Sequence, residues 1–461
     1  MRLTNVAHLR LPFGPLSSYA VTVGEPGEAW ELSADQARHI GEGPRAGSWM
    51  ALAFTWPTPV DPQRLADAWQ ATVARHPTLR TVTDVDDDGA TILRTVPVLG
   101  GQWTRHTVAT GQSPQEAVRE ILDAACSPEQ RPAHRLCTID TMDGTTVVLG
   151  IDHSHVDMWS FMVILQELWT RLETSPTTSS SPTADTAAAL SRLGEEAPGF
   201  EQHTRERRCL PHAAPATRQR WHAILDQHEG HFPVFPLPLG TQEPVVERVV
   251  LRTVLGVEDS AALRERARAR KVSALSLVVA AMTEATAMLS DRPFAALFPI
   301  HTRHAQRWHA SVGWFTLNSL LAPASAAPED AAAAIREAIA LGQERVEDIE
   351  HADGGQLAVP GLFAVSWLDL RRLPVQVDTH AVSAELISAR IHTDGVMLWF
   401  ISDASGLHLR CRFPDTAAAR ESVTRWLDEV VTRTRRMARS GHLTGTPEDA
   451  SAPTPAALAI G

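Results

Sequence analysis

The chain has 461 residues, which is too long for one ordinary hydrophobic core and predicts two or three domains. An apolar content of 44% and a charged content of 21% are typical of a soluble globular protein, and the net charge of -12 argues against non-specific binding to nucleic acid. The four cysteines are far apart and form no C-x-x-C pair, so we expect reduced buried thiols and neither a disulfide framework nor a zinc site.

The N-terminal residues carry no recognisable targeting signal. Residues 1–5 lack the apolar core of a signal peptide. No run in the chain approaches the roughly 18 apolar residues of a membrane span. We therefore expect a cytoplasmic protein without a membrane-spanning segment.

The first predicted elements are a strand, a helix and a hairpin. Large apolar residues predict a strand over residues 49–56. Asp61 is predicted to cap a helix that begins at Pro62 and has an apolar residue at every fourth position. The acidic segment 86–89 is typical of a hairpin turn, because it lacks the ligand spacing and the closing glutamate of a calcium loop.

A polar cluster lies between the next predicted strand and helix. Residues 145–149 form a short apolar run, and residues 159–173 have apolar positions at helical spacing. The residues between them include His153, His155 and Asp157. Loops that connect a strand to a helix commonly hold reactive side chains on a rigid scaffold.

Three interpretations of this cluster are open from the residues alone. In the first, His153 is a general base, since a neutral imidazole can accept a proton near pH 7. In the second, His153, His155 and Asp157 bind a metal, because imidazole and carboxylate groups suit zinc. In the third, Asp157 or Ser160 caps the following helix and the histidines are ordinary polar loop residues.

The second half of the chain follows a segment rich in Ser, Thr and Pro. This segment, residues 174–186, is predicted to be a linker or mobile loop, and residues 441–461 are predicted to be a disordered tail. In the last predicted strand apolar residues alternate with His408, Arg410 and Arg412. The predicted helices are 216–226, 260–271, 273–288, 331–345 and 416–439, and the predicted strands are 294–300, 363–368, 396–401 and 407–413.

Two runs of basic residues, 264–271 and 205–208, could attract a phosphate or an acidic partner protein. The charges of residues 264–271 recur on one amphipathic helix, which favours a solvated helix face.

The order of these elements, with His153-x-x-x-Asp157 after a central strand, resembles the condensation-domain superfamily. That superfamily includes the condensation domains of nonribosomal peptide synthetases and stand-alone acyltransferases of the polyketide-associated-protein type. Its hallmark is His-His-x-x-x-Asp-Gly, in which the second histidine does the chemistry. Four further stretches match in order and spacing across nearly the whole chain: 60–80, 299–303, 312–318 and 363–370.

The resemblance implies an α/β fold (an α+β sandwich) of two chloramphenicol-acetyltransferase-like lobes with a catalytic tunnel between them. The implied divisions are an N-terminal lobe over 1–173 that carries the motif, a linker over 174–200, a C-terminal lobe over 201–440 and the tail over 441–461. The implied oligomeric state is a monomer.

The resemblance also assigns roles at the site. His153 would be the catalytic histidine, Asp157 would be structural and pair with Arg303, and His155 would point away without a catalytic role. Asp152 stands in the place of the first histidine, and Met158 in the place of the glycine. The residues that would line the tunnel are Asp152, Met158, Trp159, Trp314, Asn318 and Ser366.

The implied activity is acyl transfer from a thioester to an amine or alcohol in secondary-metabolite biosynthesis. The donor would be a carrier protein's phosphopantetheine arm or coenzyme A, acting in trans, with no permanently bound cofactor and no metal. Two alternatives stay open. Asp152 and Met158 could mark an inactive binding or scaffolding relative, and His153, His155 and Asp157 could form a metallohydrolase site, although Met158 occupies its final ligand position.

Overall fold

The computed structural model describes residues 2–173, 193–345, 357–375 and 377–440. The Ser/Thr/Pro segment predicted at 174–186, most of the linker predicted at 174–200 and the tail predicted at 441–461 therefore lie outside the described residues. Within the described part, the strands form two seven-stranded sheets and one three-stranded sheet. This is the mixed α/β architecture that the resemblance implies.

The first sheet is built around two strands that are buried on both faces. Alternate residues of these central strands contribute to two separate apolar clusters, because helices cover the sheet on each side. Only one neighbouring pair, the first and second strands in the following order, runs parallel. The strands in spatial order are β1 (Arg2–Asn5), β14 (Glu385–Ser388), β4 (Trp49–Trp56), β9 (Gly144–Asp152), β8 (His134–Thr141), β2 (Leu16–Val23) and β7 (Val98–His106).

The helices on this sheet begin where the local sequence provides a cap. α2 (Pro62–Arg75) starts after Asp61, whose side chain accepts a hydrogen bond from the backbone of Gln63, so the predicted start is confirmed. α3 (Pro114–Ala125) starts with a capping box formed by Ser113 and Glu116. α2 and α4 (Met158–Glu173) cover one face of the sheet, and α3 covers the other.

The position of strand β14 differs from the predicted division into two lobes. It lies within the range 201–440 but pairs with β4 of the first sheet, with Glu385 opposite Ala53 and Ser388 opposite Met50. β14 satisfies the backbone groups that β4 would otherwise expose at a sheet edge. The two sheets are therefore joined by an exchanged strand, which a division at residue 200 does not describe.

The second sheet has helices on one face and faces the first lobe with the other. Residues Phe363, Leu398 and Cys411 lie on its helical face and belong to the largest apolar cluster. The strands in spatial order are β12 (Thr316–Leu321), β11 (Ala296–His301), β13 (Phe363–Asp369), β16 (Val396–Asp403), β17 (Gly406–Pro414), β10 (Val245–Leu255) and β15 (His392–Thr393). The helices are α7 (Val257–Ala269), α8 (Ala274–Leu289), α9 (Pro328–Leu341) and α10 (Ala417–Ser440).

Among the described residues no single helix is long and apolar enough to cross a membrane. α7 and α8 pass that test of length and composition only as a pair, and they are bent by 95° at the break between them.

The remaining elements pack against both lobes, and α6 (Pro215–Asp226) contributes Trp221, Ile224 and Leu225 to the apolar cluster of the second sheet. The acidic segment 86–89 forms the predicted turn: the Asp86 carboxylate accepts hydrogen bonds from the backbone of Asp88 and Ala90, and Gly89 has a φ of 83°. Of the four cysteines three are buried, whereas Cys209 is exposed, so the expectation of buried thiols is wrong at that position. The elements outside the two seven-stranded sheets and the helices already given are β3 (Ala29–Trp30), β5 (Thr81–Val85), β6 (Thr91–Thr95), α1 (Ala34–Gly41), α5 (Phe200–Arg208) and α6 (Pro215–Asp226).

Two buried histidines make the fold sensitive to acid. Burial lowers the pKa of His134 to about 3 and that of His203 to about 4. Both rings are neutral in the folded protein but take up a proton near pH 6.5 when the chain unfolds, so their contribution to stability is present above pH 6.5 and is lost as the pH falls below it. As the pH falls from 7.5 to 5.5, each of the two histidines should lower the free energy of unfolding by about 1.4 kcal/mol.

Urea unfolding of His134→Phe checks this expectation. Phenylalanine keeps an aromatic ring edge-on to Trp69, which His134 contacts at 5.1 Å between ring centroids. The variant should lose about 1.4 kcal/mol less stability than the unmodified chain between the two pH values. An identical pH dependence in both proteins would contradict a neutral buried His134.

Candidate active site

The polar cluster occupies a tight turn between β9 and α4. β9 ends at Asp152, residues His153–His155 form one turn of 3-10 helix, and α4 begins at Met158. The Asp152 carboxylate caps the turn by accepting a hydrogen bond of 2.9 Å from the backbone of Ser154. The predicted strand-to-helix connection is confirmed.

The imidazole of His153 is held in one orientation. Its Nδ1 lies 3.0 Å from the carbonyl oxygen of Val156, and because a carbonyl oxygen only accepts, Nδ1 carries the hydrogen. The ring stacks on Trp314 with centroids 4.2 Å apart. In a neutral ring the lone pair therefore lies on Nε2.

The surroundings of His153 favour that neutral form. Burial lowers the pKa of His153 below its usual value of 6.5, and the neighbouring His39 lowers it further. The His39 ring lies edge-on to His153 at 6.0 Å between centroids. The ring is thus able to accept a proton near neutral pH.

The predicted pairing of Asp157 with Arg303 is present. The two guanidinium nitrogens Nη1 and Nη2 lie 2.5 and 3.0 Å from the two carboxylate oxygens, which is the forked geometry of a strong ion pair. The backbone N–H of Phe315 also donates to the carboxylate, at 3.0 Å. Asp157 and Arg303 are only 4% and 1% exposed, so neither charge could be buried here without the other.

Ser160 joins the same network and fixes the two lobes to each other. Its hydroxyl lies 2.8 Å from the Asp157 carboxylate and accepts hydrogen bonds from Arg303 at 2.9 Å and from the backbone of Gly313 at 3.1 Å. The indole N–H of Trp159 donates to the carbonyl oxygen of His309 at 3.0 Å. The capping interpretation is also correct in part, because the Asp157 carboxylate accepts a bond of 2.7 Å from the backbone of Ser160.

Asp152 does not line the tunnel, which corrects that prediction. It is fully buried behind the turn, where its carboxylate accepts bonds from the Ser154 hydroxyl at 2.5 Å and from His39 Nε2 at 3.2 Å. Burial alone would raise the pKa of Asp152, but the hydrogen bond from His39 and the interactions with His155 and Ser154 lower it overall. Asp152 is therefore a charged anchor for the turn.

His39 and α1 are the site residues that the sequence analysis missed. Arg45 donates to His39 Nδ1 at 2.9 Å, so His39 Nε2 carries the hydrogen that Asp152 accepts. Gln36, on the same helix, donates to the carbonyl oxygen of Ser154 at 2.8 Å. The only signal in the sequence is the capping box of Ser33 and Gln36, which predicts a helix start and nothing about its neighbours.

A cavity of about 2270 Å³ lies between the two sheets and reaches the turn. Its wall includes His153, Asp157 and Arg303. We call it the interlobe cavity. The predicted tunnel residues that line it are Met158, Trp159, Trp314, Asn318 and Ser366.

The three groups of the metal alternative do not fit a shared ion. His155 is 2% exposed, lies outside the wall of the interlobe cavity and bonds through Nδ1 to the Ser154 hydroxyl at 2.8 Å. Asp157 is occupied by Arg303, Ser160 and the backbone of Phe315. Among the described residues no group of three or more His, Cys, Asp or Glu side chains has the arrangement to hold a metal ion.

The two basic runs lie in different surroundings. In the first run Arg264 and Arg268 line the interlobe cavity. The expectation that this helix face is simply solvated therefore describes only part of the run. In the second run Arg205 lies 4.6 Å over the ring of Trp30, and Arg208 pairs with Glu31. The second run thus packs against the small sheet.

Comparisons with known proteins bear on the whole chain. No family model matches it. The acyltransferase PapA3 of Mycobacterium tuberculosis is 26% identical over 475 residues, which cover 95% of this chain and 93% of PapA3. Pyochelin synthetase PchF of Pseudomonas aeruginosa is 28% identical over 369 residues, which cover 75% of this chain but only 18% of that much longer protein.

Solved structures share the same architecture. The PapA2 acyl transferase superposes with a TM-score of 0.81 at 17% identity, over 95% of this chain and all of that one. The first condensation domain of the calcium-dependent antibiotic synthetase, in complex with a substrate analogue, has a TM-score of 0.66 at 16% identity, over 90% and 97% of the two chains. The chain therefore has the fold that these solved structures share. The sequence similarity to the acyltransferase PapA3 extends over nearly the full length of both chains.

Proposed function

We propose that this chain is a stand-alone condensation-type acyltransferase that moves an acyl group from a thioester to an amine or alcohol in secondary-metabolite biosynthesis. The donor is a carrier protein's phosphopantetheine thioester or an acyl-coenzyme A, which acts in trans. The proposal is supported by the full-length similarity to PapA3 and by the interlobe cavity, which offers one space to two substrates.

One observation carries the proposal: the ring of His153 lines the cavity with Nδ1 bonded to the carbonyl oxygen of Val156. That bond leaves Nε2 as the basic atom and prevents the ring from turning. The pairing of Asp157 with Arg303 holds the following residues in place without taking part in proton transfer, since a carboxylate already engaged by a guanidinium is a poor base.

The reaction follows from this geometry. Nε2 of His153 accepts the proton of the acceptor's hydroxyl or amine group as the oxygen or nitrogen attacks the thioester carbonyl carbon. The tetrahedral centre then collapses, the carbon–sulfur bond breaks, and the proton on Nε2 passes to the departing thiolate. The products are an ester or amide and a free thiol, and the histidine returns to its neutral form.

The pH dependence of the reaction should reflect the environment of His153. Its lowered pKa means that the basic, unprotonated form persists to a pH below that of an ordinary histidine. The acid limb of the kcat/KM profile should therefore have its midpoint below pH 6.5, with a plateau through pH 7, when measured with a non-titrating alcohol acceptor. A midpoint above pH 6.5 would contradict either the base role or the described environment.

A further inference from the structure

The cavity-facing side of the second sheet carries two arginines that the proposed reaction does not use. On β17 the apolar side chains point to the helices, so the alternate residues Arg410 and Arg412 point to the interlobe cavity and form part of its wall. Arg410 lies opposite Trp399 of β16, which in turn lies opposite Ser366 of β13. Paired residues of neighbouring strands share a face, so these polar and aromatic groups form one row across the floor of the cavity.

The positive charge of this pair is only partly compensated. Among the described residues Glu247 is the only carboxylate in ion-pair contact with either guanidinium, at 3.8 Å from Nε of Arg412. The other Glu247 oxygen accepts a bond of 2.7 Å from Asn5. Two guanidinium groups thus share one carboxylate, which leaves about one positive charge in a largely buried place.

The environment makes this charge costly in the absence of a ligand. Arg410 is 3% exposed, and the Nε atoms of both arginines are buried without a hydrogen-bond partner. Burial and the charge of Arg412 lower the pKa of Arg410 to about 9. The ring of Trp399, 4.5 Å below Arg410 and 5.2 Å from Arg412, offsets part of the cost through its electron-rich face.

We propose that Arg410 and Arg412 form an oxyanion subsite in the interlobe cavity, which binds a carboxylate, sulfate or phosphate group of a substrate. Guanidinium groups match the geometry of these oxyanions, and a buried, undercompensated pair gains the full strength of a charge-assisted hydrogen bond. The inference rests on the proposed function, because the bound molecule is a substrate only if the chain catalyses acyl transfer. The oxyanion is either a substituent of the acceptor or a phosphate of the thioester donor.

A purely structural role explains only part of the arrangement. Arg410 donates to the hydroxyl of Ser388 at 2.6 Å and so ties the second sheet to β14 of the first. Arg412 has a weaker set of contacts, the sulfur of Met397 at 2.8 Å and the distant Glu247 carboxylate. Arg412 is therefore the better position for a test, because its replacement leaves the tie through Arg410 intact.

Two substitutions should change anion binding in opposite directions. Arg412→Gln removes a cation and should weaken binding about tenfold or more, as expected for the loss of a hydrogen bond to a charged group. Glu247→Gln removes the competing carboxylate, keeps an oxygen that can accept from Asn5, and should strengthen binding. Arg425→Gln, at an exposed position on α10, serves as the matched control and should leave it unchanged.

The measurement is calorimetric titration of the full chain with sodium sulfate, sodium acetate and coenzyme A, each against sodium chloride at equal ionic strength. An effect of both substitutions on sulfate or acetate, with coenzyme A affinity unchanged, assigns the subsite to the acceptor. A parallel effect on coenzyme A assigns it to the donor. The proposal is overturned if no anion binds, or if Arg412→Gln and Glu247→Gln bind the anions with the same affinity as the unmodified chain.

The outcome is separable from the test of acyl transfer. Binding is measured without turnover and can be repeated with His153→Ala, which leaves both arginines in place. Loss of transfer with retained, Arg412-dependent anion binding leaves the subsite standing. Transfer that depends on His153, combined with no anion binding, overturns the subsite alone.

Discussion

Replacement of His153 with alanine is expected to lower the rate of acyl transfer by about 10²–10⁴-fold, the range typical of a positioned general base. The loss should appear mainly in kcat, because the ring acts on the proton of the attacking group and contributes little to the binding of the thioester. Steady-state release of the free thiol, followed with a thiol-reactive chromophore, gives both kcat and KM.

His380→Ala is the matched control for this substitution. His380 is exposed and lies outside the wall of the interlobe cavity, so its loss should leave both constants unchanged. Near-wild-type turnover by His153→Ala would remove the base assignment. A loss in His153→Ala alone would also eliminate the alternative of a relative that has kept the fold and lost the reaction.

Replacement of Arg303 with methionine is expected to lower the free energy of unfolding by about 3–5 kcal/mol, the usual cost of removing one member of a buried ion pair. The substitution keeps much of the side-chain volume above Phe315, whose ring centre lies 4.1 Å from the guanidinium carbon. It leaves the Asp157 carboxylate 4% exposed and without its cation. Urea denaturation monitored by circular dichroism measures the change.

The double substitution Arg303→Met with Asp157→Asn tests the physical reason. Removing the second charge as well should recover part of the loss, because the penalty comes from an unpaired buried charge. Asp428→Asn, which breaks an exposed pair with Arg252, should cost no more than about 1 kcal/mol. Equal costs for Arg303→Met and Asp428→Asn would show that the ion pair does not hold the site together.

Local patterns in the sequence predict several elements in both halves of the chain well. The alternation of β17, the helix spacing of α10 and the cap of α2 each depend on residues that are close in the chain, and the structure contains all three within a few residues of the predicted bounds. The pairing of Asp157 with Arg303 spans 146 positions and came only from the resemblance to a family. Spacing alone does not identify such a partner.

The features that the sequence did not reveal depend on contacts between distant segments. β14 has too few residues to predict which sheet it joins, and its partner β4 lies more than 300 positions earlier. His39 reaches Asp152 across 113 positions. Strand pairing and side-chain contact at such separations follow from the packing of the whole chain, for which a short motif carries no signal.

The polar face of β17 illustrates a second limit. Alternation places Leu409 and Cys411 on one side and Arg410 and Arg412 on the other, and the structure agrees. The same pattern, however, fits a strand whose polar side faces water and a strand whose polar side faces a cavity. Burial of Arg410 and Arg412 beside Trp399 distinguishes the two cases, and it depends on the opposite lobe.

The most direct test of the account is a single-turnover transfer assay read by intact mass. Acyl-loaded carrier proteins and acyl-coenzyme A thioesters are mixed with a panel of amines and alcohols and with either the unmodified chain or His153→Ala. The account predicts that, for at least one pair, the donor loses its acyl mass and the acceptor gains it only with the unmodified chain. Equal transfer by the two proteins, or a folded unmodified chain that transfers nothing across the panel, would contradict it.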